Sequence, residues 1–265
     1  MNPLAAIVDF HGLQGPVGLA IGVFDGVHLG HRAVIEQARA EARAEGGTAA
    51  VLTFHPHPLK VLTPDRAPRL LTATAHKIAI IHALGVARIG VARFDRAFSR
   101  LDPPAFIQCL KEVLPGLRSV VVGTDWSFGR DRTGDVALLS ALGKEHHFRV
   151  QAVNPVLVGG EAVSSTRIRR AIEAGDLDGA EQLLGRRYGV MGTVLRGEQL
   201  GTRLGFPTAN LSAHSEQFPP DGVYAVRVRH ASRYYGGVAN IGWRPTVPQA
   251  APERLLEVHI LDLDA

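Results

Sequence analysis

The chain has 265 residues, 46% of them hydrophobic and 20% charged, which is typical of a globular protein and not of a disordered or membrane-spanning one. This length suits one large domain or two modest ones. Its 29 basic and 25 acidic residues give a net charge of +4, an excess too small to indicate nucleic-acid binding.

The N-terminus and the cysteine content both favour a cytoplasmic location. Residues 1–16, MNPLAAIVDFHGLQGP, lack the basic start and the uninterrupted apolar core of a secretory signal. No apolar run approaches the roughly 20 residues that a bilayer requires. Cys109 is the only cysteine, so the chain cannot form an internal disulfide and has no C-x-x-C pair for structural zinc. We therefore expect no membrane partner, and the oligomeric state stays open.

Strand-like and helix-like runs alternate along the first two-thirds of the chain. Strands are predicted at 19–24, 49–54, 87–94 and 119–123, and helices at 31–46, 75–85 and 102–116. Such alternation predicts β-α-β units, in which a parallel sheet is covered by helices on both faces.

The pattern changes after residue 162. Residues 164–187 predict two short helices that are separated by Gly175, the first of them capped by Ser164, Ser165 or Thr166. From Tyr188 onward, alternation with period two, interrupted by Gly and Pro, predicts a small antiparallel β-barrel. We place a domain boundary near residue 186, which divides the chain into 1–186 and 187–265.

The stretch GVFDGVHLGH, residues 22–31, links the first predicted strand to its helix. In a parallel sheet, ligands bind at the carboxyl ends of strands, and the N-terminus of the following helix attracts phosphate. Its glycines would allow close backbone approach, and His28 and His31 could donate hydrogen bonds to phosphate oxygens. The alternative is a tight turn in which the histidines only cap a helix.

A second candidate phosphate site is VSSTRIRR, residues 163–170, which places hydroxyl groups and three arginines at a helix start. By itself it could be a capped helix with a solvated basic face. The two sites together would hold a triphosphate from both sides. The chain has no G-x-x-x-x-G-K-[ST] sequence, which argues against a P-loop kinase.

Four motifs carry a family resemblance. GVFDGVHLGH, TFHPHP (53–58), VGTDWSFGRDRTGD (122–135) and VSSTRIR (163–169) resemble, in order and spacing, the nucleotidyltransferase domain of the bacterial bifunctional riboflavin kinase/FMN adenylyltransferases, or FAD synthetases. The resemblance implies ATP binding by Gly22, Phe24, Asp25, Gly26, His28, His31, Ser164, Ser165, Thr166 and Arg169, with His28, His31 and Arg169 also catalytic. It implies flavin contacts by His57, Pro58, Gly123, Asp125 and Phe128.

Two residues depart from the family pattern, His55, where an acidic residue is common, and Trp126, where phenylalanine is expected. Both lie in the flavin motifs and leave the ATP motifs intact. His55 and His57 could instead be metal ligands, although no third ligand has suitable spacing.

The implied reaction is attack of an FMN phosphate oxygen on the α-phosphorus of ATP, with pyrophosphate leaving in line. Such a transfer needs positioning and charge neutralisation and no protein nucleophile. The expected cofactor is Mg²⁺, which would offset the charge of the pyrophosphate.

The second domain has candidate residues on two segments. In the glycine-rich stretch 192–211, Thr208 and Asn210 are two residues apart, so their oxygens face the same way and suit magnesium, or else form the polar edge of a hairpin. In LLEVHILDL, residues 255–263, the carboxylate of Glu257 could be a general base or a solvated group of a half-exposed strand.

Residues 188–265 resemble the riboflavin kinase barrel of the same family through GFPTAN, PDGVYAV, GVANIGWRPT and LEVHILD. The resemblance implies that Thr208 and Asn210 coordinate magnesium with ATP and that Glu257 activates the 5′-hydroxyl of riboflavin. Thr202 and Arg203 depart from the family pattern. Because family members continue beyond the position of Ala265, we interpret the barrel as truncated, and we leave open whether this is a fragment or an impaired kinase.

We expect the small-molecule substrates riboflavin, FMN and ATP. One alternative is an adenylyltransferase for another acceptor, such as nicotinamide mononucleotide or a phosphopantetheine arm. An arginine-rich RNA-binding protein is an alternative of a different class. In such a protein, basic residues would be interleaved with aromatic ones to form a stacking surface, whereas the basic residues of this chain are scattered.

Overall fold

The computed structural model describes residues 2–13, 15–195, 207–230, 233–243 and 254–261. The first part, which we call the N-terminal unit, contains a five-stranded sheet and the helices that cover it. Its elements are β1 Val17–Ile21, α1 Leu29–Ala44, β2 Thr48–His55, α2 Pro58–Leu62, α3 Thr74–Ala83, β3 Arg88–Arg93, α4 Pro103–Val113, β4 Leu117–Gly123, α5 Val136–Glu145, β5 Arg149–Val153, β6 Leu157–Val158, β7 Glu161–Ala162, α6 Ser165–Glu173 and α7 Leu177–Leu184.

The main sheet has the strand order β3-β2-β1-β4-β5, and all of its pairs are parallel. The chain moves to one side of β1 for β2 and β3 and to the other side for β4 and β5. Such a reversal opens a crevice at the carboxyl ends of the central strands, where ligands bind in open α/β sheets. The predicted parallel α/β fold is confirmed, although the sequence analysis did not predict α2, α5 and β5.

Alternate residues of the central strands enter two core layers. Leu19 and Ile21 belong to a layer with α4 and α5, whereas Ala20 belongs to a layer with α1 and α3. Gly18 lets α1 approach β1 closely, since a Cβ atom at this position would lie 2.5 Å from the carbonyl oxygen of Ala38. This close packing joins the C-terminal half of α1 to the start of β1.

The second part, which we call the C-terminal unit, is an antiparallel sheet. Its strands are β8 Gly192–Leu195, β9 Ala209–Ala213, β10 Gly222–His230, β11 Arg233–Trp243 and β12 Arg254–Ile260, in the order β10-β11-β12-β9-β8. The predicted antiparallel, barrel-like structure is confirmed. Within the described ranges the outer strands β8 and β10 do not pair, so the sheet is open there.

Some sequence predictions concern residues outside the described ranges. These are the positions of Thr202 and Arg203, which fall in 196–206, and the chain end at 262–265. Helix α7 ends at Leu184, and Gly185 follows it with left-handed backbone, φ 66°. The boundary near residue 186 stays a prediction.

The two units contact each other through the segment that follows β9. The backbone N–H groups of Glu216 and Gln217 donate to the carbonyl oxygen of Leu70 at 2.9 and 3.1 Å. The Glu216 carboxylate also forms an ion pair with Lys60 of α2. The hydroxyl of Tyr188 donates to the carbonyl oxygens of Leu71 and Gln217. The strip that includes Leu70 and Leu71 therefore connects the C-terminal unit to the crevice of the main sheet.

Candidate active site

The turn between β1 and α1 has a strained backbone. Phe24 and Val27 have φ angles of 52° and 42°, in the left-handed region that residues other than glycine rarely adopt. Gly26 has φ 84°, and a Cβ atom there would lie 2.8 Å from Cδ1 of Leu71. Strained backbone of this kind persists only where the surroundings hold it, and it concentrates at functional sites.

His28 and His31 stack on each other at the start of α1. Their ring centroids are 3.5 Å apart with an interplanar angle of 19°, and the edge of Phe24 meets His31 at 5.3 Å. His28 is the N-cap, and its Nδ1 accepts the backbone N–H of His31 at 3.3 Å. This bond places the proton of a neutral His28 on Nε2. Nδ1 of His31 is buried and has no hydrogen-bond partner among the described residues.

Both imidazoles are neutral at pH 7. Burial, and then the positive charges of Arg186 and Arg169, lower the pKa of His28 to about 4. Burial lowers the pKa of His31 well below its ordinary value, with His28 and Lys77 contributing in the same direction. Each ring therefore presents one neutral N–H donor, and the positive charge near the turn comes from lysine and arginine.

Helix α6 contacts this turn directly, although the two predicted motifs lie far apart in sequence. The hydroxyl of Ser165 donates to the carbonyl oxygen of Asp25 at 2.9 Å. Arg169 forms an ion pair with the carboxylate of Asp25, and its Nε donates to the carbonyl oxygen of Arg69 at 2.7 Å. Ser164 caps α6, and Thr166 is exposed in its first turn. The structure thus brings the two motifs together.

The carboxylate of Asp25 accepts hydrogen bonds from three directions at the centre of this turn. Its carboxylate accepts the backbone N–H groups of Leu71 and Thr72 at 3.2 and 3.0 Å, in addition to the Arg169 guanidinium. The Thr72 hydroxyl accepts the N–H of Gly26 at 3.0 Å. Because a carboxylate repels phosphate, Asp25 contributes by holding the turn, and the charge of Arg169 is largely paired with it.

Lys77 is a site residue that the sequence analysis missed. Its side chain is buried in α3, and Nζ donates to the carbonyl oxygen of Val23 and the hydroxyl of Thr53, each at 2.9 Å. Burial lowers the pKa of Lys77 to about 8, while Asp25 acts in the opposite direction. The available signal was a lysine on the same buried face of the helix as Ile81.

His57 and Asp25 lie in one small pocket. His57 caps α2 through Nδ1, which accepts the N–H of Leu59 at 3.2 Å, and Pro58 is the first residue of α2. The pocket is lined by Val23, Asp25, Phe54, His55, His57, Leu70, Thr72, Thr74 and Lys77. No cluster of three potential metal-ligating His, Cys, Asp or Glu side chains occurs in the described part of the chain.

The other predicted flavin contacts lie at the end of β4. Gly123 ends this strand, and Asp125 is exposed. Phe128 is buried, and it stacks on the half-buried Trp126 at 4.7 Å with an interplanar angle of 14°. The indole of Trp126 is thus the more accessible of the two rings. Edge and tilted ring contacts among Phe54, Phe98, Phe106 and Phe128 connect this loop to the pocket beside His57.

The C-terminal unit brings a second group of candidates together. Asn210 lies opposite Glu257 in the register of β9 and β12. The side-chain oxygen of Asn210 is buried and has no hydrogen-bond partner in the described ranges. Thr208 lies just before β9 and is exposed. This set of oxygen donors fits the ligand preference of magnesium.

Comparisons with known proteins give family matches to both parts of the chain. A family model described as FAD synthetase matches residues 13–167, and one described as riboflavin kinase matches residues 184–265. Two relatives are described as bifunctional riboflavin kinase/FMN adenylyltransferase. The one from Escherichia coli K12 is 39% identical over 92% of this chain and 78% of its own length, and the one from Bacillus subtilis is 37% identical over 93% and 78%.

The chain belongs to the bifunctional riboflavin kinase/FMN adenylyltransferase family. The prediction of a bifunctional enzyme that makes FMN and FAD is therefore confirmed. A solved structure titled as a macrolide-efflux protein from Streptococcus pneumoniae superimposes with a TM-score of 0.82 at 28% identity, over 100% of this chain and 84% of that one.

None of the described helices combines the length and the apolar character that a membrane span requires. The cytoplasmic location and the expected absence of nucleic-acid and membrane partners stay predictions.

Proposed function

We propose that ATP binds between the turn 22–28 and the start of α6, and that His28 and His31 donate hydrogen bonds to its phosphates. The observation that carries this proposal is the stacked pair of neutral imidazoles at the carboxyl end of β1, beside a helix N-terminus. At the N-terminus of α6, Ser164 and Thr166 would supply hydroxyl donors and Ser165 its backbone N–H, because the hydroxyl of Ser165 already donates to the carbonyl oxygen of Asp25. Neutral donors suit this place because a buried, positively charged imidazole would be repelled by the adjacent arginines.

FMN is proposed to lie in the rest of the crevice, with the loop of His57 and Pro58 on one side and that of Gly123, Asp125 and Phe128 on the other. An FMN phosphate oxygen attacks the α-phosphorus of ATP, the bond to the bridging oxygen breaks, and pyrophosphate leaves. The residues therefore act by positioning and by charge neutralisation. Gly22, Phe24 and Gly26 shape the turn, and Asp25 and Arg169 hold it against α6.

The C-terminal unit is proposed to phosphorylate riboflavin. Thr208 and Asn210 would hold Mg²⁺, which neutralises the charge of the transferred phosphate. The unpartnered buried oxygen of Asn210 supports this assignment. Glu257, opposite Asn210, would accept the proton of the riboflavin 5′-hydroxyl as that oxygen attacks the γ-phosphorus of ATP.

The test measures two reactions with the same preparation, FAD formation from FMN with ATP and Mg²⁺, and FMN formation from riboflavin. We expect His31→Ala to abolish the first reaction and to leave the second unchanged, because the histidine pair belongs to the N-terminal unit alone. His147→Asn is the control, since His147 is exposed, belongs to neither motif, and has a φ of 60° that asparagine tolerates.

Asn210→Ala and Glu257→Gln test the other half, and we expect both to remove FMN formation while FAD formation from FMN persists. Far-UV circular dichroism establishes that each variant is folded. Wild-type FAD formation by a folded His31→Ala variant would contradict the histidine assignment. Wild-type FMN formation by Glu257→Gln would contradict the general-base assignment.

A further inference from the structure

Arg186 reaches back from the connection between the two units into the turn that carries His28. Its Nη2 donates to the carbonyl oxygen of Gly26 at 2.7 Å, and its Nη1 donates to that of Val27 at 3.1 Å. Arg186 lies outside residues 13–167, the range matched by the FAD synthetase model. The turn is therefore held in part by a residue from beyond that match.

The two carbonyl groups belong to the strained part of the turn. Gly26 and Val27 both have positive φ angles, 84° and 42°. The N–H of Gly26 is held from the other side by the hydroxyl of Thr72. Because the φ angle of Val27 sets the direction in which the chain enters His28, a guanidinium that fixes both carbonyl oxygens also fixes the placement of the stacked imidazoles.

The charge environment of Arg186 favours an anion nearby. It is half-buried and lies beside Arg32, another cation, which donates to the carbonyl oxygen of Gly185 at 3.4 Å. Burial, and then Arg32, lower the pKa of Arg186 to about 10, so it stays charged at pH 7. Among the described residues, its guanidinium donates hydrogen bonds to the two neutral carbonyl groups and forms no ion pair. Phosphate groups bound at the turn would balance this charge.

We propose that Arg186 is a positioning residue of the adenylyl-transfer site, which holds the turn 22–28 so that His28 and His31 face the ATP phosphates. This inference rests on the proposed roles of the two histidines. It also makes the connection between the units part of the adenylyl-transfer site.

The experiment compares Arg186→Ala, Arg186→Lys and Arg186→Gln in the full chain, with FAD formation from FMN as the assay. We expect Arg186→Ala to lower kcat/KM for ATP roughly 10- to 100-fold, because a displaced turn misplaces the reacting groups, while KM for FMN stays within about twofold. Lysine keeps the charge but loses the two-pronged contact, so it should recover part of the activity. Glutamine keeps one donor without the charge and should recover less.

Arg187→Ala is the matched control. Arg187 is the next residue, is exposed, and among the described residues forms an ion pair with the half-buried Glu181 at 3.8 Å. We expect wild-type kinetics for this variant. FMN formation from riboflavin by the same preparations shows whether the C-terminal unit is intact in each variant.

The outcomes separate the two proposals. If His31→Ala retains wild-type FAD formation, the histidine assignment fails, and the role of Arg186 fails with it. If His31→Ala abolishes FAD formation while all three Arg186 variants have wild-type kcat and KM for ATP, the inference about Arg186 alone is overturned. Should Arg186→Ala fail to fold, the kcat/KM values for ATP of Arg186→Lys and Arg186→Gln decide. Values below wild type, with lysine the higher of the two, support the inference. Wild-type values in both variants would refute it.

Discussion

The burial of His28 makes the stability of the N-terminal unit depend on pH. Its pKa falls from 6.5 to about 4 in the folded protein, so the unfolded chain binds a proton more readily between these values. The contribution of this residue to the free energy of unfolding is fully present above pH 6.5 and is lost as the pH falls towards 4. At about 1.4 kcal/mol per pH unit, the loss is on the order of 3 kcal/mol.

His28→Asn isolates this contribution. Asparagine does not titrate, and its side-chain oxygen can still accept the backbone N–H that His28 accepts as the N-cap of α1. We therefore expect the free energy of unfolding to fall between pH 7.5 and 4 by about 3 kcal/mol less in His28→Asn than in the wild type.

The assay is urea unfolding followed by the fluorescence of Trp126, in a Trp243→Phe background so that the signal reports the N-terminal unit. His147→Asn is the control, because His147 is exposed and its φ of 60° is one that asparagine tolerates. It should follow the wild-type pH dependence. Parallel pH curves for His28→Asn and the wild type would refute the assignment of a neutral, buried His28.

Three further predictions concern residues around the crevice. Gly26→Ala should lower the free energy of unfolding by about 1–3 kcal/mol and FAD formation at least about tenfold, because it adds a steric clash to a strained φ. Gly46→Ala is the control in urea unfolding. Gly46 has a φ of 63° and no atom near its Cβ position, so this variant should show the backbone cost alone. Lys77→Met should lower the free energy of unfolding by about 1–3 kcal/mol, because buried acceptors lose their donor, and unchanged urea curves would contradict this. A double-mutant cycle of Lys60→Ala and Glu216→Ala should give a coupling energy of about 0.2–1 kcal/mol, because both side chains are partly exposed, and additive effects on thermal unfolding would argue against the contact between the units.

Local sequence patterns were sufficient to predict much of the fold. Short apolar runs marked four strands of the main sheet, and apolar residues at helical spacing marked the principal helices, because apolar side chains are buried in the core. Glu257 and Val258 illustrate the same rule in β12, where Val258 is buried and Glu257 is only half-buried. The short helix α2 was missed because it has no buried residue.

The chemistry of the candidate site was only partly predictable. The glycines, histidines and hydroxyl residues of the two phosphate motifs are adjacent in sequence, so their clustering was visible there. Lys77 and Arg186 do not belong to any recognisable motif, and their contacts are with residues that are far away in the sequence. Likewise, nothing local distinguished the buried ring of Phe128 from the more accessible ring of Trp126.

The sequence by itself indicated which residue types are candidates for phosphate binding, that strands and helices alternate in the first unit, and that a second, antiparallel unit follows. It placed the end of the first strand at Phe24, whereas β1 ends at Ile21. Only the tertiary structure decided that Asp25 pairs with Arg169, that burial keeps His28 and His31 neutral, and that Arg186 closes over the turn. The physical reason is that pKa values and ion pairs depend on distance and on the exclusion of water, and both are set by contacts between residues that are far apart in the chain.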